Sequence, residues 1–205
     1  MNSELLETKP MNRDHLPLLV LASESPRRAE LLEKLGLPFV VRPARLDETG
    51  LAKGGPGESA LQLALAKAEA CWSPGEWTVG ADTVVALDQK VLGKPKDLQE
   101  NHRFLAMLSG RAHTVYTGLA LVSPKGERRR HLEEARVFFR ALSAWELEWY
   151  ARSGEGLDKA GGYGAQGLGM VLVEKIEGDF FTVMGLPVSA LWKALGSMGY
   201  FGGGR

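Results

Sequence analysis

The segment Ser23-Glu24-Ser25-Pro26-Arg27-Arg28 gathers two hydroxyls and two guanidinium groups where an apolar run gives way to a helix start. Unpaired backbone N–H groups and the positive end of the helix dipole favour an anion at such a junction. Arginine adds permanently charged, bidentate donors that match phosphate oxygens. The alternative is that Ser25 merely caps and both arginines are solvated. Each arginine in a first turn opposes the dipole by a few tenths to ~1 kcal/mol, so a pair of them there points to a bound anion.

Asp82 stands inside the apolar run Val79-Gly80-Ala81-Asp82-Thr83-Val84-Val85. A carboxylate among such neighbours is costly unless it is paired, hydrogen-bonded or coordinated. It either bonds local backbone amides, holds a cation such as Mg²⁺, or takes a proton from water. Lys67 and Lys94 are single lysines that count for little alone, and Glu48 beside Asp47 is a metal-ligand candidate in an acidic loop. The stretch from Asp158 to Gly167 is rich in glycine, which permits close backbone approach to a ligand. Its Gln166 carries both a donor and an acceptor, as reading a base edge requires. The stretch lacks the P-loop pattern.

These residues need elements to hold them. The pattern predicts a buried strand over Leu18–Ala22, a helix opening at Ser25-Pro26 and ending at Gly36, and a strand at Phe39–Val41. Asp47–Gly57 reads as a loop and Ser59–Trp72 as a helix. Trp77–Leu87 is a strand that turns at Asp88-Gln89 into Lys90–Leu92. Capping-box sequences at Asp97–Glu100 and Ser143–Glu146 open helices reaching Leu108 and Arg152. His113–Val122 and Ala135–Ala141 read as strands joined by the charged connection Lys125–Glu134. Val171–Ile176 and Phe180–Val183 read as a hairpin turning at Gly178-Asp179, and Pro187 opens the last helix. Strands, helices and hairpins alternate, so the expected class is α/β with a sheet of mixed direction.

Composition narrows the function. With 205 residues, 25 basic against 25 acidic, the chain is neutral overall, which disfavours binding to a nucleic-acid polymer and leaves a local anion site for a small phosphorylated ligand. Neutrality also argues against Ser25-Pro26-Arg27-Arg28 as a minor-groove arm. Cys71 is the only cysteine, so no internal disulfide forms and a reducing, cytoplasmic setting is expected. The four histidines show no zinc-ligand spacing. No apolar run has the length of a membrane span. Residues 1–15 are expected to be a flexible extension, 16–198 a single domain, and 199–205 a flexible tail.

Taken in order, LASESPRR (21–28), LAKAEA (65–70), VGADTVV (79–85), LGKP (92–95), LSGRAHTVYTG (108–118), DKAGGYGAQG (158–167) and VMGLP (183–187) resemble the Maf family of nucleoside triphosphate pyrophosphatases. The resemblance implies an elongated mixed sheet flanked by helices, with two lobes and a central cleft, similar to the inosine triphosphate pyrophosphatases. It implies a divalent cation, Mg²⁺ or Mn²⁺, and cleavage between the α- and β-phosphates. Asp82 matches the family's proton acceptor, and Ser23, Arg27, Arg28, Lys67 and Lys94 its triphosphate-binding set. Glu48 matches the acid of its D-E loop, a metal ligand together with Asp82. Arg27, Thr83 and Gln166 resemble the type that prefers dTTP and UTP; Ala165 replaces a bulkier family residue next to Gln166. The resemblance also suggests a homodimer. It leaves two further readings open: a house-cleaning hydrolase of modified nucleotides, and a non-catalytic regulator of septum formation.

Overall fold

The computed structural model describes residues 15–48, 50 and 54–202. Strand β1 (Leu19–Ala22) is buried along its whole length. A strand covered on both faces has no polar side, which is why this run reads as continuously apolar. Helix α1 (Pro26–Lys34) is the crossover to β2 (Phe39–Val41), which pairs with β1 in parallel. Pro26 suits the first helical position, because its missing N–H has no intrahelical partner there anyway.

Helix α2 (Pro56–Cys71) begins earlier than the sequence predicts, with Gly55 as its cap and proline at the start. It lies on one face of the long strands β3 (Trp77–Leu87) and β5 (Ala112–Val122). Two glycines allow that contact. A Cβ on Gly80 would sit 2.3 Å from the Ala64 carbonyl oxygen, and one on Gly118 would sit 2.3 Å from that of Ala60. The strand β4 (Lys90–Leu92) returns from β3 through Asp88 and Gln89, both at positive φ.

Helix α3 (Leu98–Leu108) is capped by Asp97, whose side chain accepts from the Glu100 N–H; the Glu100 carboxylate accepts from Lys96 rather than closing the box on Asp97. Helix α4 (Ala144–Ser153) has the full reciprocal capping box of Ser143 and Glu146. Strand β6 is Arg128–Phe139, β7 is Val173–Gly178, and the chain closes with α5 (Phe180–Met184) and α6 (Val188–Ser197). The seven-stranded sheet runs β2-β1-β3-β5-β6-β7, with β4 on the free edge of β3. The fold is therefore mixed α/β, as expected.

Three expectations are corrected. The charged segment over 128–134 is the first half of β6, not a connection. Strand β7 pairs with β6 only from Ala135 onward, so among the described residues Arg128–Glu134 has an open edge, where charge discourages further pairing. Phe180–Val183 belongs to helix α5, not to a returning strand. Asp179 caps it by accepting from the Thr182 N–H, and Gly185 ends it in a left-handed conformation. Aromatic and β-branched residues gave it a strand-like composition, but one turn of helix is set by its caps. Third, the chain stays packed beyond residue 198: Tyr200 is 2% exposed, stacks edge-on against Trp77 and donates to the Pro17 carbonyl at 2.6 Å. The expected flexible extension lies outside the described residues apart from His15, as do the last three residues of the tail.

The edge of β3 explains where a site can form. Residues Trp77–Gly80 pair with β1, and Val85–Leu87 pair with β4. Between them, Ala81–Val84 pair, among the described residues, with β5 alone. Two apolar clusters flank this gap. One joins Leu19, Leu21, Leu32, Leu119 and Leu191; the other joins Leu105, Leu108, Val115, Phe139 and Tyr150. The gap is the floor of the cleft between them.

Candidate active site

Alternation along β3 sends Asp82 toward α2 and Thr83 toward α1, the face that carries both apolar clusters. Because the strand edge is open at this point, residues on both faces line the same cavity.

On the α1 side, Ser25 occupies the N-cap position, but its hydroxyl makes no capping bond. Its N–H instead donates to Ser23 Oγ at 3.2 Å. The half-buried Arg28 guanidinium spends donors inside the fold: Nε to the Gly185 carbonyl at 2.8 Å, Nη1 to Ser23 Oγ at 2.9 Å, and Nη2 to Thr83 Oγ1 at 3.2 Å. Thr83 Oγ1 lies 3.0 Å from Thr117 Oγ1, which donates to the Thr182 carbonyl at 2.8 Å. Thr117 has one proton and spends it on that carbonyl, so Thr83 donates to Thr117 and accepts from Arg28. Burial lowers the Arg28 pKa, and the nearby Asp82 charge opposes that shift. Arg28 is thus a positive charge whose direction is set by three segments of the chain, at Ser23, Thr83 and Gly185.

On the α2 side, Lys67 Nζ lies 2.5 Å from Asp82 Oδ1 and 2.9 Å from Glu48 Oε1. The Lys67 and Asp82 side chains are 14% and 13% exposed, whereas Glu48, on the loop after β2, is 50% exposed. Burial raises the Asp82 pKa above the ordinary carboxyl value; Lys67 and then Arg28 pull it back down. The raised value makes Asp82 a better proton acceptor than an exposed carboxylate. Among the described residues no group of three or more metal-type side chains converges. The carboxylates of Glu48 and Asp82 nevertheless meet at one ammonium. Two carboxylates with phosphate oxygens and water are the usual donor set for Mg²⁺, so these residues fit such an ion.

The glycine-rich stretch forms the opposite wall. Arg27 Nη1 reaches Asp158 Oδ2 at 3.2 Å, and Gln166 Nε2 donates to Glu30 Oε2 at 3.2 Å, both across the cleft from α1. The buried Asn101 and Tyr150, with the half-buried Glu155, hold this wall in shape. Asn101 donates to the Gly162 carbonyl at 2.6 Å, Tyr150 Oη accepts from the Gly164 N–H at 3.0 Å, and Glu155 accepts from the N–H groups of Leu168 and Gly169.

The cavity measures about 870 Å³, and it is lined by every one of Ser23, Arg27, Arg28, Glu48, Lys67, Asp82, Thr83, Lys94 and Gln166. Residues from widely separated segments therefore line one cavity that brings together guanidinium and ammonium groups, a largely buried acid and a carboxamide.

The Maf-like protein family model matches residues 18–198. The chain belongs to the Maf family. A protein from Thermus thermophilus named dTTP/UTP pyrophosphatase is 55% identical over 184 residues, 90% of this chain and 96% of its own length. A second protein of that name, from Symbiobacterium thermophilum, is 46% identical over 184 residues, 89% of this chain and 94% of its own. A more distant likeness is the crystal structure of a nucleoside-triphosphatase / dITP/XTP pyrophosphatase from Mycobacterium abscessus. It has a TM-score of 0.43 and 22% identity, over 62% of this chain and 76% of that one.

The Maf-family motifs thus fall on the cavity, but sequence reasoning missed several of its members. Arg45 lines it from the irregular segment after β2, where no periodicity marks it. Asp158 and Lys159 lie inside a motif already noted, yet only the fold shows that both line the cavity and that Asp158 meets Arg27 of α1. Thr117 and Glu30 act from behind the lining, and their only signal is contact across 34 and 136 residues of chain.

Proposed function

We propose that the chain hydrolyses nucleoside triphosphates, with dTTP and UTP preferred, to the nucleoside monophosphate and pyrophosphate. The observation that carries this reading is the pairing of a largely buried Asp82, its pKa raised, with Lys67 in a cavity also lined by Arg27, Arg28, Lys94 and Ser23. The two dTTP/UTP pyrophosphatases at 55% and 46% identity support the substrate class.

In this reading the cations bind the triphosphate and draw it toward β3. Lys67 engages Asp82 Oδ1 and fixes the carboxylate plane, and the second carboxylate oxygen takes a proton from a water in line with the α-phosphorus. The water oxygen bonds to that phosphorus as the anhydride bond to the β-phosphate breaks, and pyrophosphate departs with the bridging oxygen. Lysine and arginine stabilise the charge on the departing group. Glu48 and Asp82 would hold a divalent cation, Mg²⁺ or Mn²⁺, which when bound supplies further neutralisation of phosphate charge. We also infer a cytoplasmic setting, from the single buried Cys71; no helix among the described residues is long and apolar enough to cross a membrane. A homodimer remains part of this reading on family resemblance alone.

The test is pyrophosphate release from a panel of dTTP, UTP, CTP, dATP, GTP, ITP and 7-methyl-GTP with Mg²⁺ or Mn²⁺. Turnover led by dTTP and UTP is expected. Preference for ITP or 7-methyl-GTP would keep the chemistry and overturn the pyrimidine assignment. Binding without turnover of any nucleotide would replace the enzyme with a regulatory nucleotide-binding protein.

A further inference from the structure

Gln166 lines the cavity from the glycine-rich wall, and its carboxamide nitrogen donates across the cleft to the Glu30 carboxylate on α1 at 3.2 Å. A primary amide is nearly symmetric in shape and opposite in chemistry at its two ends, so its meaning to a ligand depends on which way round it is held. A carboxylate can only accept. Glu30 therefore selects the orientation in which nitrogen faces α1, because the flipped amide would set its carbonyl oxygen against a negative oxygen. The carboxylate is itself held in place by Lys34, whose Nζ donates to Oε1 at 2.6 Å and leaves Oε2 for Gln166.

The consequence concerns the base. With its orientation held by Glu30, Gln166 presents its carbonyl oxygen, flanked by the second amide hydrogen, to a ligand in the cavity. Uracil and thymine offer an N3–H donor beside an O4 acceptor, which this edge satisfies. Cytosine offers the reverse, an N3 acceptor beside an amino donor. It matches only the flipped amide, which Glu30 opposes. We propose that Glu30 is a specificity-determining positioning residue: by locking the Gln166 carboxamide it makes the site read the N3–H of uracil and thymine and reject cytosine. This rests on the pyrimidine triphosphate reading above and adds the group that enforces it. A glutamine alone, free to turn, would accept both bases.

The experiment compares kcat/KM for UTP and CTP in the wild-type chain, Glu30→Gln, Glu30→Ala and Lys34→Ala, by pyrophosphate release. Glu30→Gln is nearly isosteric and allows the facing amide to donate or accept, so it frees Gln166 to flip while keeping the helix surface. The UTP-to-CTP ratio is expected to fall about tenfold in both Glu30 variants, the scale of one mismatched polar contact. The fall comes mainly through a rise in turnover of CTP. Lys34→Ala loosens the Glu30 carboxylate but leaves its charge in place, so its ratio is expected to fall less than that of either Glu30 variant. A merely structural role for Glu30 would lower both substrates together, and that parallel loss overturns the proposal, as does an unchanged ratio. A wild-type chain that turns over neither UTP nor dTTP overturns the functional reading first, before any variant is compared, so the two failures are distinguishable.

Discussion

Asp82 is held between opposed influences. Burial disfavours its charge, while the Lys67 ammonium at 2.5 Å and the Arg28 guanidinium favour it. The net shift is upward, so the ionised, proton-accepting form is lost as pH falls through a value above that of a free carboxyl. Asp82→Asn is expected to keep the fold, since the amide is isosteric, and to lower kcat by about a hundredfold or more. Its remaining turnover should also lose the acidic limb of the wild-type pH–rate profile. Pyrophosphate release across pH, beside a thermal melt of both proteins, checks this. Near wild-type turnover would remove Asp82 from its role. At this scale the sequence was informative: an acid in a β-branched run and paired arginines in a first turn are both costly, and cost marks a site. The partners were not legible. Nothing in the spacing of Lys67, Glu48 and Asp82 states that one ammonium lies between two carboxylates.

The elements place those residues through one close packing. Helix α2 rests its backbone on the glycines of β3 and β5, and that contact carries Lys67 to Asp82. Gly118 is the register partner of Asp82 on β5, so a side chain there pushes on α2 beside the site. Gly118→Ala would bring its Cβ within 2.3 Å of the Ala60 carbonyl oxygen, against backbone that has no rotamer to move. It is expected to cost about 1–3 kcal/mol, in the range for overpacked contacts. It should also reduce kcat, because α2 and Lys67 move together. Urea midpoints with matched kinetics test this; a destabilised protein with unaltered kcat would separate α2 from catalysis. Helices were the most legible elements, since Pro26, Asp97 and Ser143 announce their starts chemically. Strand partners were less so. The first half of β6 looked like a connection because an open edge tolerates charge, and α5 looked like a strand because five residues are too few to display a period.

Across the whole molecule, two apolar clusters flank the cleft, and a buried histidine packs against the second. His113 is 3% exposed, packs edge-on against Phe139 and Tyr163, and places Nε2 2.7 Å from Tyr163 Oη. Burial draws its pKa down to about 4 from an ordinary 6.5. Between these values the unfolded chain binds a proton that the folded chain does not, so stability rises with pH through the window. Falling pH is therefore expected to remove stability from about 6.5 downward, by at most roughly 3 kcal/mol at the lower end. His113→Gln keeps a polar partner for Tyr163 and should flatten this part of the profile. Urea midpoints measured between about pH 7 and about pH 4.5 compare the two slopes. Equal slopes would show that other groups govern acid sensitivity.

The same scale decides what had to wait for the fold. By itself the sequence determined the class of the protein, the helix starts, the neutral charge that disfavours a polymer, and the residue types of the site. These follow from local chemistry: caps, periodicity and the cost of misplaced charge act within a few residues. Only the tertiary structure decided that β3 changes neighbours at Gly80 and Val85 and leaves Ala81–Val84 open. It also decided that Arg28 is anchored by Gly185 and Thr83, and that Glu30 holds Gln166 across 136 residues of chain. Those contacts depend on how distant segments meet, and no local pattern specifies a meeting at such separations.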